Sequence, residues 1–212
     1  MLHYETIPVT AFQQNCSLVW EDEGMTAAVI DPGGDLEVLL GACKQLGITL
    51  KYIWITHAHL DHAAATADLA EQLGLPIIGP HPGDQFWIDG LPMAAATYGF
   101  PPARPFKPTR WLHDGDTVTL GQHTFQVRHC PGHTPGHVVF YSPEIQRAFV
   151  GDVLFAGSIG RTDFPQGNHQ QLLDSITQRL WPMGDDTVFI PGHGPESTFG
   201  RERRSNPYVG GT

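Results

Sequence analysis

The run Thr56-His57-Ala58-His59-Leu60-Asp61-His62 gathers four side chains able to bind a metal ion into six consecutive positions. Neutral imidazole and carboxylate are the donors that zinc, iron(II) and manganese sites use. His57 and His59 stand two apart at the predicted end of an apolar strand, where alternate side chains of an extended chain point the same way. Asp61 and His62 follow as the chain turns into a helix. The two pairs, His57/His59 and Asp61/His62, are enough for two adjacent cations. In a chain of this composition such an HxHxDH string arises by chance roughly 0.002 times. Read instead as turn or capping residues, four polar groups at the end of a buried strand would be costly without a partner.

Three further runs can complete a metal shell. Pro131-Gly132-His133-Thr134-Pro135-Gly136-His137 carries two histidines four apart. Pro135 and Gly136 exclude a helical pair, so one imidazole is expected to ligate and the other to donate a hydrogen bond from behind. Gly151-Asp152 and Gly192-His193-Gly194 each follow a predicted strand. Each run is unremarkable alone, and their force comes from standing with the HxHxDH string. Cys130, three residues before His133, reads as a core or strand-end residue.

These side chains need strands that end at one edge. Cys16–Trp20 and Thr26–Ile30 read as strands parted by the charged turn Glu21–Gly24. Leu36, Leu39, Leu40, Cys43 and Leu46 predict a helix ended by Gly47. Tyr52–Thr56 reads as a strand buried on both faces that runs into His57. A helix over Ala63–Leu73 and a short strand over Pro76–Gly79 follow. Strands over 117–120, 124–128, 138–141, 148–150 and 187–190, with a helix over Asn168–Leu180, complete an α/β alternation in a single domain, 1–212. Between Gly79 and Trp111, seven prolines and six large aromatics predict an excursion with at most short helices. It is either a lid or groove wall or a stiffened loop whose aromatics pack.

Composition narrows the function classes. Hydrophobic residues make up 41% and charged residues 16%, which excludes intrinsic disorder. A net charge of −10 repels phosphate backbones and argues against nucleic acid. No apolar run approaches the ~18 residues of a membrane span, and Met1-Leu2-His3-Tyr4-Glu5 is not a leader, so a cytoplasmic protein without a membrane partner is expected. Cys16, Cys43 and Cys130, with no CxxC pair, fit a reducing compartment.

In this order along the whole chain, THxHxDH, PGHTPGH, a GD after a strand and a closing PGHG resemble the metallo-β-lactamase superfamily. Gly157–Pro165, with Gly192-His193-Gly194-Pro195 and Asn206-Pro207, is similar to its glyoxalase II-like (hydroxyacylglutathione hydrolase) branch, nearest the short bacterial single-domain type. The resemblance implies an αβ/βα four-layer sandwich with a dinuclear site at one edge. It assigns His57, His59 and His133 to metal 1, and Asp61, His62 and His193 to metal 2, with Asp152 bridging. Two divalent ions are implied, zinc first, with iron or manganese as alternatives. About 19 residues follow His193, too few for the C-terminal helical domain that grips glutathione in the longer enzymes. Asp at the bridging position, and no cysteine at metal 2, weighs against β-lactam hydrolysis.

The implied chemistry is hydrolysis of a small-molecule thioester, S-D-lactoylglutathione to D-lactate and glutathione, by a hydroxide between the metals whose pKa falls from 15.7 toward ~7. Asp61 would orient the hydroxide, and Arg161 on the loop after Asp152 is the candidate for a substrate carboxylate. Persulfide dioxygenases share the fold and are similar over Gly160–Phe164, with one iron on residues matching His57, His133 and Asp152. The complete second set here, Asp61, His62 and His193, favours the hydrolase. A nuclease is disfavoured by charge. A metal-storing module is disfavoured because structural zinc sites are closed and four-coordinate.

Overall fold

A strand apolar on both faces must be covered on both, and the central strands of this chain are of that kind. A computed structural model describes residues 1–211. In β3 (Thr26–Ile30), Ala27 and Val29 enter one core, while Ala28 and Ile30 enter another. In β8 (Val138–Ser142), Val139 and Tyr141 part from Val138 and Phe140 in the same way. The period-2 alternation of the pleat thus sorts each strand between two cores.

Two sheets result. The first has the order β1 (Leu2–Val9), β2 (Gln14–Glu21), β3, β4 (Thr49–Trp54) and β5 (Ile77–Ile78), with β3, β4 and β5 parallel. The second has six strands. It runs from β13 (Ser197–Thr198) and β12 (Val188–Pro191) through β9 (Arg147–Gly151) and β8 to β7 (His123–His129) and β6 (Thr117–Leu120). In it β9 and β12 are parallel. A two-stranded ribbon, β10 (Leu154–Phe155) with β11 (Ser158–Ile159), lies between β9 and the next helix in the chain.

The sheets face each other across a core that includes Trp54, Phe125, Phe140, Phe149 and Ile190. Trp54 sits between Phe125, edge-on at 5.0 Å, and Phe140, stacked at 5.2 Å. The outer face of the first sheet is covered by α1 (Leu36–Leu46), α2 (Leu60–Ala63), α3 (Thr66–Leu73) and α4 (Gln85–Tyr98). The second is covered by α5 (His169–Ser175) and α6 (Phe199–Ser205). This is the expected αβ/βα four-layer sandwich. No helix among the described residues is long and apolar enough to cross a membrane.

The structure departs from the sequence expectations in several places. The ribbon β10–β11, β13 and α6 have no counterpart in them, and the helix expected over Ala63–Leu73 is the pair α2 and α3. β1 has a mixed burial pattern that hides it from an apolar count, yet it pairs along its whole length with β2 as an edge strand. β4 ends at Trp54, so His57 and His59 lie on a loop and not on a strand. The excursion 79–111 contains a 14-residue helix, α4, whose buried Ile88, Leu91 and Ala95 face the first core despite Pro92. The helix expected over 168–180 is α5 followed by one π turn, Ile176–Leu180.

Candidate metal centre

Parallel neighbours end at the same edge, and the loops beyond the C-terminal ends of strands are where open α/β sheets bind ligands. β3 and β4 deliver Asp31 and residues 56–62 to that edge, and β9 and β12 deliver Asp152 and His193. The β7–β8 loop adds His133. Backbone bonds lock the loops together: Val138 N–H to Thr56 O at 2.8 Å, Gly192 N–H to Gly151 O at 2.7 Å, and Asn15 N–H to Gly192 O at 2.7 Å. Gly192 is a matter of space, since a Cβ there would stand 2.1 Å from Asp152 Oδ1 and 2.5 Å from His62 Cε1.

All seven residues expected to ligate are brought together. One donor atom from each of His57, His59 and His133 lies within 4.8 Å of the other two, and the same holds for Asp61, His62 and His193. Asp152 stands between the groups, with Oδ1 3.3 Å from His62 Nε2 and Oδ2 3.5 Å from His133 Nε2 and 3.7 Å from His193 Nε2. These are His/Asp clusters suited to two neighbouring cations.

The rings are held from behind. His57 Nδ1–H donates to Thr56 Oγ1 at 3.0 Å, and that hydroxyl donates to Asp31 at 2.5 Å. His62 Nδ1–H donates to the same Asp31 oxygen at 2.9 Å, and His133 Nδ1–H to Arg161 O at 2.7 Å. Such bonds fix the tautomer and leave Nε2 free to bind a cation. Nε2 of His57, His59, His62 and His133, with Asp152 Oδ1, are buried and have no hydrogen-bond partner. Buried polar atoms are nearly always satisfied, so five orphans converging on one space fit a metal pair.

The electrostatics agree. Burial, reinforced by neighbouring imidazoles, holds His57 well below the usual imidazole range, and burial likewise lowers His59 and His133. Neutral rings are what a cation needs. Burial opposes ionisation of Asp152, but the neighbouring imidazoles, His62 foremost, outweigh it and hold the carboxyl well below the usual carboxylate range. Burial opposes protonation of His62, yet Asp152 and Asp61 raise it well above 6.5.

Around the centre are residues whose part was not visible in the sequence. Asp31, inside a turn signal, is a fully engaged carboxylate that also accepts from Thr56 N–H at 2.7 Å. His137 was expected to donate from behind; instead its Nε2 accepts the Asp152 N–H at 3.0 Å. Trp87 meets the His59 ring edge-on at 4.5 Å, Phe164 meets it at 5.0 Å, and Phe155 lies 6.3 Å from His193. All three aromatics are half-buried. Arg161 is exposed, and its guanidinium lies over Phe164 at 4.2 Å and is paired with Asp163 through two bonds of 2.7 and 2.6 Å. Cys130 is buried in the second outer core, as expected.

The family model for the metallo-beta-lactamase superfamily matches residues 9–193, and the chain belongs to that superfamily. Hydroxyacylglutathione hydrolase GloC of Haemophilus influenzae is 46% identical over 209 residues, covering 98% of each chain. BLEG-1, described as a B3 metallo-beta-lactamase, has a TM-score of 0.90 at 34% identity, over 99% of this chain and 100% of that one. TTHA1623, solved in a di-iron-bound form, has a TM-score of 0.88 at 40% identity, over 97% and 100%. Family, donor set and relatives make this chain a metal-dependent hydrolase.

Proposed function

We propose that the chain hydrolyses small-molecule thioesters, with S-D-lactoylglutathione, split to D-lactate and glutathione, as its first substrate. His57, His59 and His133 would hold one divalent cation and Asp61, His62 and His193 the other, with Asp152 standing between the two groups. The observation that carries this reading is the set of five orphaned buried donor atoms facing one space. Zinc is the first expectation for these donors, and iron or manganese suits the same atoms. The di-iron form of TTHA1623 supports keeping iron in view.

Bound there, the two cations supply Lewis acidity and an activated water. Asp61 orients that water. Burial opposes its ionisation, but His62 and His193 hold it below the usual carboxylate range. That water would give up a proton and add to the thioester carbonyl, the C–S bond would break, and the products would be a carboxylic acid, which ionises, and a thiolate. A thiol of pKa ~8.5 needs no dedicated acid to leave, which accords with a centre made almost wholly of ligands. Trp87, Phe164 and Phe155 give the acyl group apolar contact and limit water. Arg161 is assigned to a substrate carboxylate, which must compete with Asp163 for it. The relative named hydroxyacylglutathione hydrolase supports glutathione as the thiol, and a cytoplasmic part in methylglyoxal detoxification is proposed to go with that substrate.

Metal content per chain, measured with three assays on protein purified without added metal, tests this reading. Expected are about two cations per chain and loss of thioester absorbance. Oxygen uptake with glutathione persulfide and cleavage of a chromogenic cephalosporin are expected to be absent. One iron per chain with oxygen consumption would instead make it a mononuclear-iron persulfide dioxygenase.

A further inference from the structure

Asp84 is a fully buried carboxylate that lies outside the seven ligands. It comes from the segment 79–111, at the N-terminal end of α4. Its Oδ2 accepts the Ala58 N–H and the Thr134 hydroxyl, each at 2.9 Å, and its Oδ1 accepts the Gly136 N–H at 2.6 Å. Ala58 is the residue between His57 and His59, and Thr134 follows His133. One side chain therefore ties the loop after β4 of the first sheet to the β7–β8 loop of the second. Those loops carry the three-histidine cluster and nothing of the other cluster but its sequence neighbours.

The surroundings are built for this contact. The peptide at Gly136 lies so close that a Cβ there would stand 2.6 Å from Asp84 Oδ1 and 2.5 Å from Asp84 N. His81 N–H donates to Gly136 O at 3.1 Å, so the chain just before Asp84 grips the same loop. One turn further on, Trp87 lies edge-on to His59. Asp31 serves both halves, holding His62 directly and His57 through Thr56, whereas the three bonds to Asp84 all come from the loops that carry the histidine trio.

We propose that Asp84 is the positioning residue of the three-histidine half, setting the mutual approach of His57, His59 and His133 and hence that cluster's affinity for its cation. This rests on the ligand assignment proposed above. The Asp84→Asn side chain keeps the shape but replaces one acceptor with an amide donor facing N–H and O–H donors. Loss of such outer partners weakens metal binding by about 10- to 100-fold.

The test is a chelator titration of the cobalt-loaded protein, followed by paramagnetically shifted N–H resonances. The His133 Nδ1–H, bonded to Arg161 O, reports the three-histidine half, and the His62 Nδ1–H, bonded to Asp31, reports the other. In Asp84→Asn the His133 signal should vanish at roughly 10- to 100-fold weaker chelation, while the His62 signal moves by less than about twofold. Thr134→Val, which removes one of the three donors, should give a smaller shift of the same signal if Asp84→Asn does not fold. Parallel weakening of both signals, or of neither, would overturn the proposal and leave Asp84 an ordinary brace of the fold. A wild-type chain with one cation at the histidine trio would sink the dinuclear reading while still testing Asp84. A chain with none there would sink both.

Discussion

His137 illustrates how much of this centre is set by a single buried atom. Its Nε2 accepts the Asp152 N–H, so the ring is neutral with its proton on Nδ1, and it stacks on His57 at 4.5 Å with 17° between planes. Burial, and then the neighbouring imidazoles, hold both rings well below 6.5. In the metal-free protein, a histidine NMR titration should find His57 and His137 still neutral at pH 5.5, where an ordinary imidazole of pKa ~6.5 is mostly charged. The unfolded chain takes up those protons and the folded chain does not. The stability these two residues contribute is therefore complete above about pH 6.5 and lost as pH falls from there toward the depressed folded values. Titration of either ring near 6.5 would show that the site is open to water. At this scale the candidate donors that the fold brings together were legible, because donor type and spacing are local properties of a sequence. Asp31 and Asp84 were not: their partners lie 25 to 52 residues away, and only the fold brings them into contact.

Among the elements, α4 was the hardest to read. Pro92, Gly90 and the prolines after Tyr98 give its sequence the texture of a loop, and the apolar spacing of Ile88, Leu91 and Ala95 is short beside them. Tertiary burial decided the matter: all three side chains are at most 1% exposed in the first core, and that packing outweighs the proline. A proline inside a helix removes one backbone bond and crowds the carbonyl four residues back, at a cost of ~3 kcal/mol. Pro92 itself is exposed, so nothing packs on its ring from the core side. Pro92→Ala should then raise stability by about 1–3 kcal/mol, read as a higher denaturant midpoint with an unchanged slope. A loss of stability would mean that the backbone shape imposed by Pro92 is needed to seat Trp87 against His59. The helices and strands with one clear period, α1 and β3 among them, lay where their patterns placed them. β4 stopped short of Thr56 because the chain must leave the sheet for Thr56 to reach Asp31.

For the molecule as a whole, the candidate metal centre is a place where side chains of the two sheets meet through polar groups and not through apolar packing. Residues 57–62, on the loop after β4 and on α2, belong to the first sheet's side, and His133, Asp152 and His193 to the loops of the second. The order of the motifs implied a four-layer sandwich only through resemblance, since spacing cannot say which strand lies beside which. The three apolar cores contain none of the seven ligand residues, and Trp54, Phe125 and Phe140 already clamp the sheets together. The metal-free chain should therefore fold, unlike a small zinc module whose core is the metal. It should nonetheless be weaker, because neutral imidazoles and carboxylates are left crowded without a cation. A ligand at a hundred times its dissociation constant adds ~2.7 kcal/mol, and in a chain of this length each kcal/mol shifts Tm by about 2–4 °C. Stripping the metal with a chelator should thus lower Tm by roughly 5–11 °C while leaving the far-ultraviolet circular dichroism spectrum at 25 °C unchanged. An unfolded spectrum after stripping would mean that the sheets depend on the metal to pair. An unchanged Tm would mean that the seven side chains do not share a cation at all.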